Sequence, residues 1–195
     1  ISRDDRYYQH KYQGLPLNGY TAMIEKMLSY KNITTYLNTD YLEIKNEWNY
    51  DYLIYTGSID QYFGCCYGKL NYRCLETKFK TYDNSSFQDS SVIDYPEEYD
   101  FYRAADYNLV YDKRNMKKSV IGFEYSSQAW GINAWPVLDN NSIPIYNRYQ
   151  ELVREKELND RGIYFIGNQA EFQPYNMSFV IQKGLELFDS LKKSL

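Results

Sequence analysis

Histidine and cysteine are nearly absent from this sequence, and their scarcity removes whole kinds of chemistry. His10 is the single histidine, and the three cysteines are Cys65, Cys66 and Cys74. Two adjacent cysteines and a third do not offer the spacing of a four-ligand zinc site, so no metal is expected. An odd cysteine count points to free thiols in a reducing compartment, here the cytoplasm. No apolar run approaches the roughly 18–20 residues of a membrane span, and no signal peptide is visible. A basic excess is missing too: 22 Lys and Arg stand against 26 Asp and Glu, a net charge of −4. Nucleic acid needs a basic face and is not an expected partner, whereas one diphosphate needs only one or two arginines. There is no G-x-G-x-x-G, so the primary dinucleotide fingerprint is absent. The opening Ile1-Ser2-Arg3-Asp4-Asp5 reads like the middle of a protein.

What the chain has in excess is tyrosine, with 24 in 195 residues. A phenol joins an apolar ring to a hydroxyl on a stiff side chain, which suits a cleft for sugars and nucleotides, although for any single Tyr generic filler is the favoured reading. Met23, Ile24, Met27 and Leu28 predict an amphipathic helix over Tyr20 to Ser29. Ile33–Leu37 and Tyr41–Ile44 read as short strands, and Tyr50–Thr56 as a buried strand stopped by Gly57. From Leu70 to Tyr125 the segments Asn71–Phe79, Ser91–Tyr95 and Ser119–Tyr125 are short, β-rich and broken by Asp, Asn, Ser and Pro. They predict an antiparallel sheet. Tyr146–Glu157 reads as a helix and Gly162–Gly167 as a buried strand. A last helix starts near Asn176 and carries Ile181, Leu185, Phe188 and Leu191 at helical spacing. The expected class is mixed α/β, with an antiparallel sheet domain over 67–126 set between α/β segments over 1–66 and 127–195. A strand, a glycine and a helix N-terminus in succession make a usual place for phosphate or a cofactor.

Several ordered motifs carry a resemblance. Asp4-Asp5-Arg6-Tyr7-Tyr8 precedes Tyr12-Gln13-Gly14-Leu15-Pro16 and Gly19-Tyr20-Thr21. Then come Tyr55-Thr56-Gly57-Ser58-Ile59-Asp60, Gly68-x-Leu70-x-Tyr72-Arg73-x-Leu75, Tyr102-Arg103, and the stretch Gly167 through Met177. In this order they resemble the UDP-galactopyranose mutase family. The resemblance implies the C-terminal part of a FAD-binding α/β domain with an inserted antiparallel sheet for substrate. It implies that Arg73 and Arg103 hold the pyrophosphate of a UDP-sugar and neutralise its charge. Tyr7, Asp94, Glu124, Trp135 and Tyr175 are the implied substrate-binding positions. Gly167, Asn168, Met177, Ser178, Phe179 and Val180 are the implied cofactor positions. The implied reaction is contraction of the sugar ring of UDP-galactopyranose on reduced FAD, in the synthesis of cell-surface polysaccharide. The enzyme so implied is an isomerase, and a homodimer is compatible with it.

The sequence also departs from the family. Asn168 stands where the family has Arg, Asp94 where it has Asn, Pro174 where it has a substrate-binding Tyr, Asn176 where it has Asp, and Ala134-Trp135-Pro136 where it has Tyr-Tyr-Pro. An indole can donate one hydrogen bond but accept none. These departures keep open a mutase acting on another sugar nucleotide, a non-catalytic sugar-nucleotide binder, and another flavoenzyme of the amine-oxidase-like superfamily. The paired arginines speak against the last. The chain alone is expected to bind flavin weakly or not at all, and to be inactive by itself.

Overall fold

The computed structural model describes residues 10–84, 87–95, 99–113, 116–127 and 132–194. The chain divides into two compact units, Ile1–Lys45 and Asn46–Leu195.

In the first unit, Pro16 accepts from the Gly19 N–H at 2.9 Å, and the chain turns into α1, Gly19–Leu28. Its apolar residues Met23, Ile24, Met27 and Leu28 are exposed. Ile33–Leu37, expected as a strand, is irregular and begins with a turn closed by the Ile33 N–H on the Tyr30 carbonyl. Tyr41–Ile44, also expected as a strand, is a single helical turn, α2. The Asp40 carboxylate accepts the Leu42 N–H at 2.8 Å, and this N-cap selects helix over extended chain.

The second unit holds two sheets. β1, Leu53–Tyr55, pairs in parallel with β7, Ile163–Phe165. The larger sheet is antiparallel, with β2 Tyr72–Tyr82, β3 Val92–Asp94, β4 Arg103–Asp106, β5 Ser119–Ser127 and β6 Ile132–Pro136. Its order is β3-β4-β5-β2-β6, so its last strand comes from beyond residue 126. Proline ends β6 at the sheet edge, where a missing N–H breaks no ladder. Short helices α3, Ile59–Tyr62, and α4, Tyr107–Val110, follow β1 and β4.

Helix α5 spans Ser142–Glu155 and so begins four residues before the expected Tyr146. Asp139 accepts the N–H groups of Asn141 and Ser142 at 3.1 and 2.6 Å, and Pro144 falls in the first turn, where its missing N–H costs nothing. The core joins Ile59, Leu70, Tyr72, Tyr146, Tyr149 and Phe172. Its phenols are satisfied: the Tyr149 hydroxyl donates to the Gly68 carbonyl at 2.8 Å and accepts the Tyr67 N–H at 3.1 Å. Helix α6 covers Met177–Ser194, and its expected stripe of Ile181, Leu185 and Phe188 is exposed.

Candidate functional site

Strand register decides which side chains of the larger sheet share a face. Asp94 lies opposite Arg103, Arg103 opposite Glu124, and Glu124 opposite Thr77. Directly opposed residues point the same way, as do residues two apart on one strand. From Thr77 the same face of β2 continues through Leu75 to Arg73, and Trp135 on β6 lies opposite Arg73. Asp94, Arg103, Glu124, Arg73 and Trp135 therefore belong to one sheet face. The opposite face carries Cys74, Ala104 and Ile121, all buried.

On that face Arg103 is gripped from two sides. Its Nε donates to Asp94 Oδ1 at 2.6 Å and its Nη2 to Oδ2 at 3.4 Å. Nη1 lies 3.5 Å from Glu124 Oε2, which also accepts the Tyr102 hydroxyl at 2.7 Å. The guanidinium sits 5.4 Å from the centre of the Tyr102 ring. The hydrogen bond from Arg103 holds the Asp94 carboxyl below the usual carboxylate range, and the same contact raises Arg103. Burial, and then the bond to Glu124, push the Tyr102 phenol up to about 12. Gly122 is also on this face, and a Cβ there would lie 2.9 Å from the Tyr107 ring and 3.2 Å from Thr77. The missing side chain lets Tyr107 cover the strand beside Glu124.

The second feature is an open groove of about 680 Å³ at the C-terminal ends of β1 and β7. Ile54, Thr56, Gly57, Ile166, Gly167, Asn168, Gln169, Val180 and Gly184 line it. Gly167 adopts φ +97°, a conformation that L side chains rarely adopt, and its N–H donates to Glu171 Oε2 at 2.9 Å. The other Glu171 oxygen holds Lys183 at 2.7 Å. The Asn168 amide donates to the Tyr175 carbonyl at 2.9 Å. The first turn of α6 is capped from within: Asn176 Oδ1 accepts the Phe179 N–H at 2.9 Å and the Ser178 hydroxyl at 2.8 Å. A buried network ties groove to sheet. Ser58 Oγ donates to Asp60 Oδ1 at 2.6 Å and accepts from the Tyr72 hydroxyl at 2.7 Å, whose proton the Gln169 carbonyl shares at 3.3 Å.

The sequence pattern of UDP-galactopyranose mutase matches residues 1–174. The chain belongs to the UDP-galactopyranose mutase family. It is 28% identical over 196 residues to a probable UDP-galactopyranose mutase of Klebsiella pneumoniae, covering 98% of this chain and 49% of that protein. It is 26% identical to a dTDP-fucopyranose mutase of Escherichia coli, covering 94% and 50%. The chain thus spans about half the length of these curated relatives. A crystal structure of reduced UDP-galactopyranose mutase shares its fold, with a TM-score of 0.60 at 15% identity, over 76% of this chain and 42% of that one.

Within this member of the mutase family, the sheet face gathers Arg73, Arg103, Asp94, Glu124 and Trp135, while Gly167, Asn168 and Val180 line the groove. Met177, Ser178 and Phe179 form the first turn of α6, and the Tyr175 ring packs on Phe179 at 4.7 Å. Tyr175 borders a different cavity, with Leu138, Ile143 and Tyr146. Tyr7 lies outside the described residues. Tyr102 and Gly57 appear in the sequence motifs without a place in the site, and Tyr107 is not singled out at all. Tyr102 stands just before β4, so strand alternation does not govern its side chain, and its one visible signal was adjacency to Arg103.

Proposed function

We propose that this chain forms the nucleotide-sugar side of a flavin-dependent mutase that interconverts UDP-galactopyranose and UDP-galactofuranose in the cytoplasm. The observation that carries the reading is that Arg73 and Arg103 sit on one sheet face. Four residues along β2 and two strand spacings separate their Cα atoms, roughly 13 Å by 10 Å. Long arginine side chains directed toward each other along that diagonal can converge on one diphosphate. A guanidinium suits a departing diphosphate because its fork pairs two phosphate oxygens and stays charged. Trp135, opposite Arg73 and half-exposed, offers a ring to the nucleotide.

The groove beside α6 fits part of a flavin. It lies at the C-terminal ends of parallel strands, its glycines leave backbone open, and Ile54, Ile166 and Val180 give it apolar walls. Reduced FAD, when bound, supplies the nucleophilic chemistry at the sugar. Gly167, Asn168 and Val180 would border it here, with Met177, Ser178 and Phe179 at the rim. The protein's own part is to orient the sugar and to hold the diphosphate while it is detached.

One observation favours a second reading, a sugar-nucleotide binder without turnover. No charged side chain lines the groove among the described residues, and Asn168 is tied to the Tyr175 carbonyl. A cation that would stabilise an anionic reduced flavin is lacking there. Titration of the chain with UDP tests the shared part of both readings. Binding should weaken at least tenfold in Arg73→Ala and in Arg103→Ala, and a wild-type chain indifferent to UDP would overturn both. Turnover of UDP-galactofuranose, followed by chromatography after FAD and the matching N-terminal half of a mutase are supplied, separates enzyme from binder.

A further inference from the structure

We propose that Asp94 is an internal competitor for the phosphate site at Arg103, and that it sets how tightly and how selectively the sheet face takes a nucleoside diphosphate. The inference rests on the reading above. Asp94 holds the guanidinium by both carboxylate oxygens, at 2.6 and 3.4 Å, which is the fork that a phosphate would use. Glu124 takes the third side at 3.5 Å. The group of Asp94, Glu124 and Arg103 therefore carries a net charge of −1 and repels an anion as it stands. Arg73 differs: no ion pair engages it among the described residues.

The two carboxylates are not equivalent. Glu124 is anchored by the Tyr102 hydroxyl at 2.7 Å and its side chain is 22% exposed. The Asp94 side chain is 64% exposed and Arg103 is its one side-chain partner among the described residues, so it is the group that can leave. An incoming diphosphate meets the free Arg73 first and then exchanges with Asp94 on Arg103. A single phosphate gains too little to displace the carboxylate, whereas a ligand also anchored at Arg73 can. Asp94 so acts as a specificity-determining residue that favours diphosphates over simpler anions.

The test compares the wild-type chain with Asp94→Asn, using UDP, UMP and inorganic phosphate as titrants at fixed ionic strength. Asn keeps the shape and removes the charge. UDP should bind about tenfold tighter to Asp94→Asn, an exposed pair plus one nearby like charge accounting for that factor. The UDP-over-phosphate preference should shrink. Asp94→Glu, which keeps the competing charge, should stay near wild type, and Asp94→Ser should behave like Asn, guarding against an effect peculiar to the amide. Equal or weaker UDP binding by Asp94→Asn, with Arg103→Ala still impaired, overturns the competitor and leaves the diphosphate reading standing. Absence of UDP binding in every variant overturns both.

Discussion

Replacing Asp60 should separate the geometry of the buried network from its charge. The residue is 3% exposed, its Oδ1 accepts Ser58 Oγ at 2.6 Å, and its Oδ2 accepts the Leu70 N–H at 3.0 Å. In Asp60→Asn the amide oxygen can keep the Leu70 bond, while the NH2 group replaces the other oxygen. Ser58 then becomes the acceptor and turns its proton to the Tyr72 hydroxyl 2.7 Å away. Tyr72 in turn is free to donate to the Gln169 carbonyl at 3.3 Å. The whole chain of donors reverses and strands no group, so the cost is the loss of charge assistance, about 1 kcal/mol. Asp60→Ala leaves the Leu70 N–H buried without an acceptor and removes two charge-assisted bonds, less the relief of a desolvated charge. That comes to about 3 kcal/mol. Urea unfolding followed by far-ultraviolet circular dichroism measures both, with the slope checked for constancy. The reversal argument fails if Asp60→Asn costs as much as Asp60→Ala. It fails equally if Asp60→Ala costs under 1 kcal/mol.

Other consequences follow from single groups. Burial raises the Tyr146 phenol from 10.0 to about 12, so the folded form keeps its proton while the unfolded form loses it. The stability this confers is complete below pH 10 and falls by about 2 to 3 kcal/mol as the pH climbs to about 12. Phenolate absorbance and unfolding recorded together should rise in step over that window, and Tyr146→Phe should flatten the fall. Gly167→Ala should cost about 1–2 kcal/mol through its φ of +97° alone, since a Cβ meets nothing nearer than Val180 at 4.0 Å. Gly184→Ala, inside α6 with no atom within 4 Å of the added methyl, should stabilise by about 0.5–1 kcal/mol. Thermal melts of the two variants should move in opposite directions. Tyr149→Phe strands the Tyr67 N–H and the Gly68 carbonyl and should cost about 1–3 kcal/mol in the same urea assay.

Much of the fold could be read from local pattern, and the misreadings have local causes too. β2, β5, β7 and α6 follow from alternation or helical spacing bounded by Gly, Asp and Asn. Tyr41–Ile44 failed because one capping carboxylate outweighs the β preference of a four-residue segment in which Glu43 interrupts the apolar residues. α5 starts ahead of the expected Tyr146 because Asp139 caps it and Pro144 is harmless in a first turn. The tyrosine excess suits a ligand cleft, but the reading of single tyrosines as filler holds for Tyr72, Tyr146 and Tyr149, which are core residues. Tyr149 anchors backbone groups with its hydroxyl, and Tyr146 accepts from the Gln150 amide at 2.7 Å. The arginines of the candidate site were legible through motifs. The grip of Asp94 on Arg103 was not, because it depends on the register of β3 against β4 and no local pattern encodes a register.

The pairing of Tyr72 with Arg73 shows how one dipeptide can serve both halves of the site. Strand alternation sends neighbours to opposite faces, so Tyr72 is buried while Arg73 is exposed on the face shared with Arg103. The inward hydroxyl reaches the carbonyl of Gln169, which lines the groove beside Gly167 and Asn168. The Gln169 amide in turn donates to the Asn133 carbonyl on β6 at 3.0 Å, two residues before Trp135. The register of β2 against β6 shifts between Arg73 and Cys74, and this irregularity sets Trp135 opposite Arg73. The loop proposed for the flavin and the strands proposed for the diphosphate are thus hydrogen-bonded to each other at two points. Loosening Tyr72 should therefore weaken UDP binding at Arg73, a residue with which its hydroxyl shares no direct contact. Tyr72→Phe tests this: UDP affinity should fall two- to fivefold with Arg73 and Arg103 intact, and unchanged affinity would mean that the groove loop and the sheet face are independent.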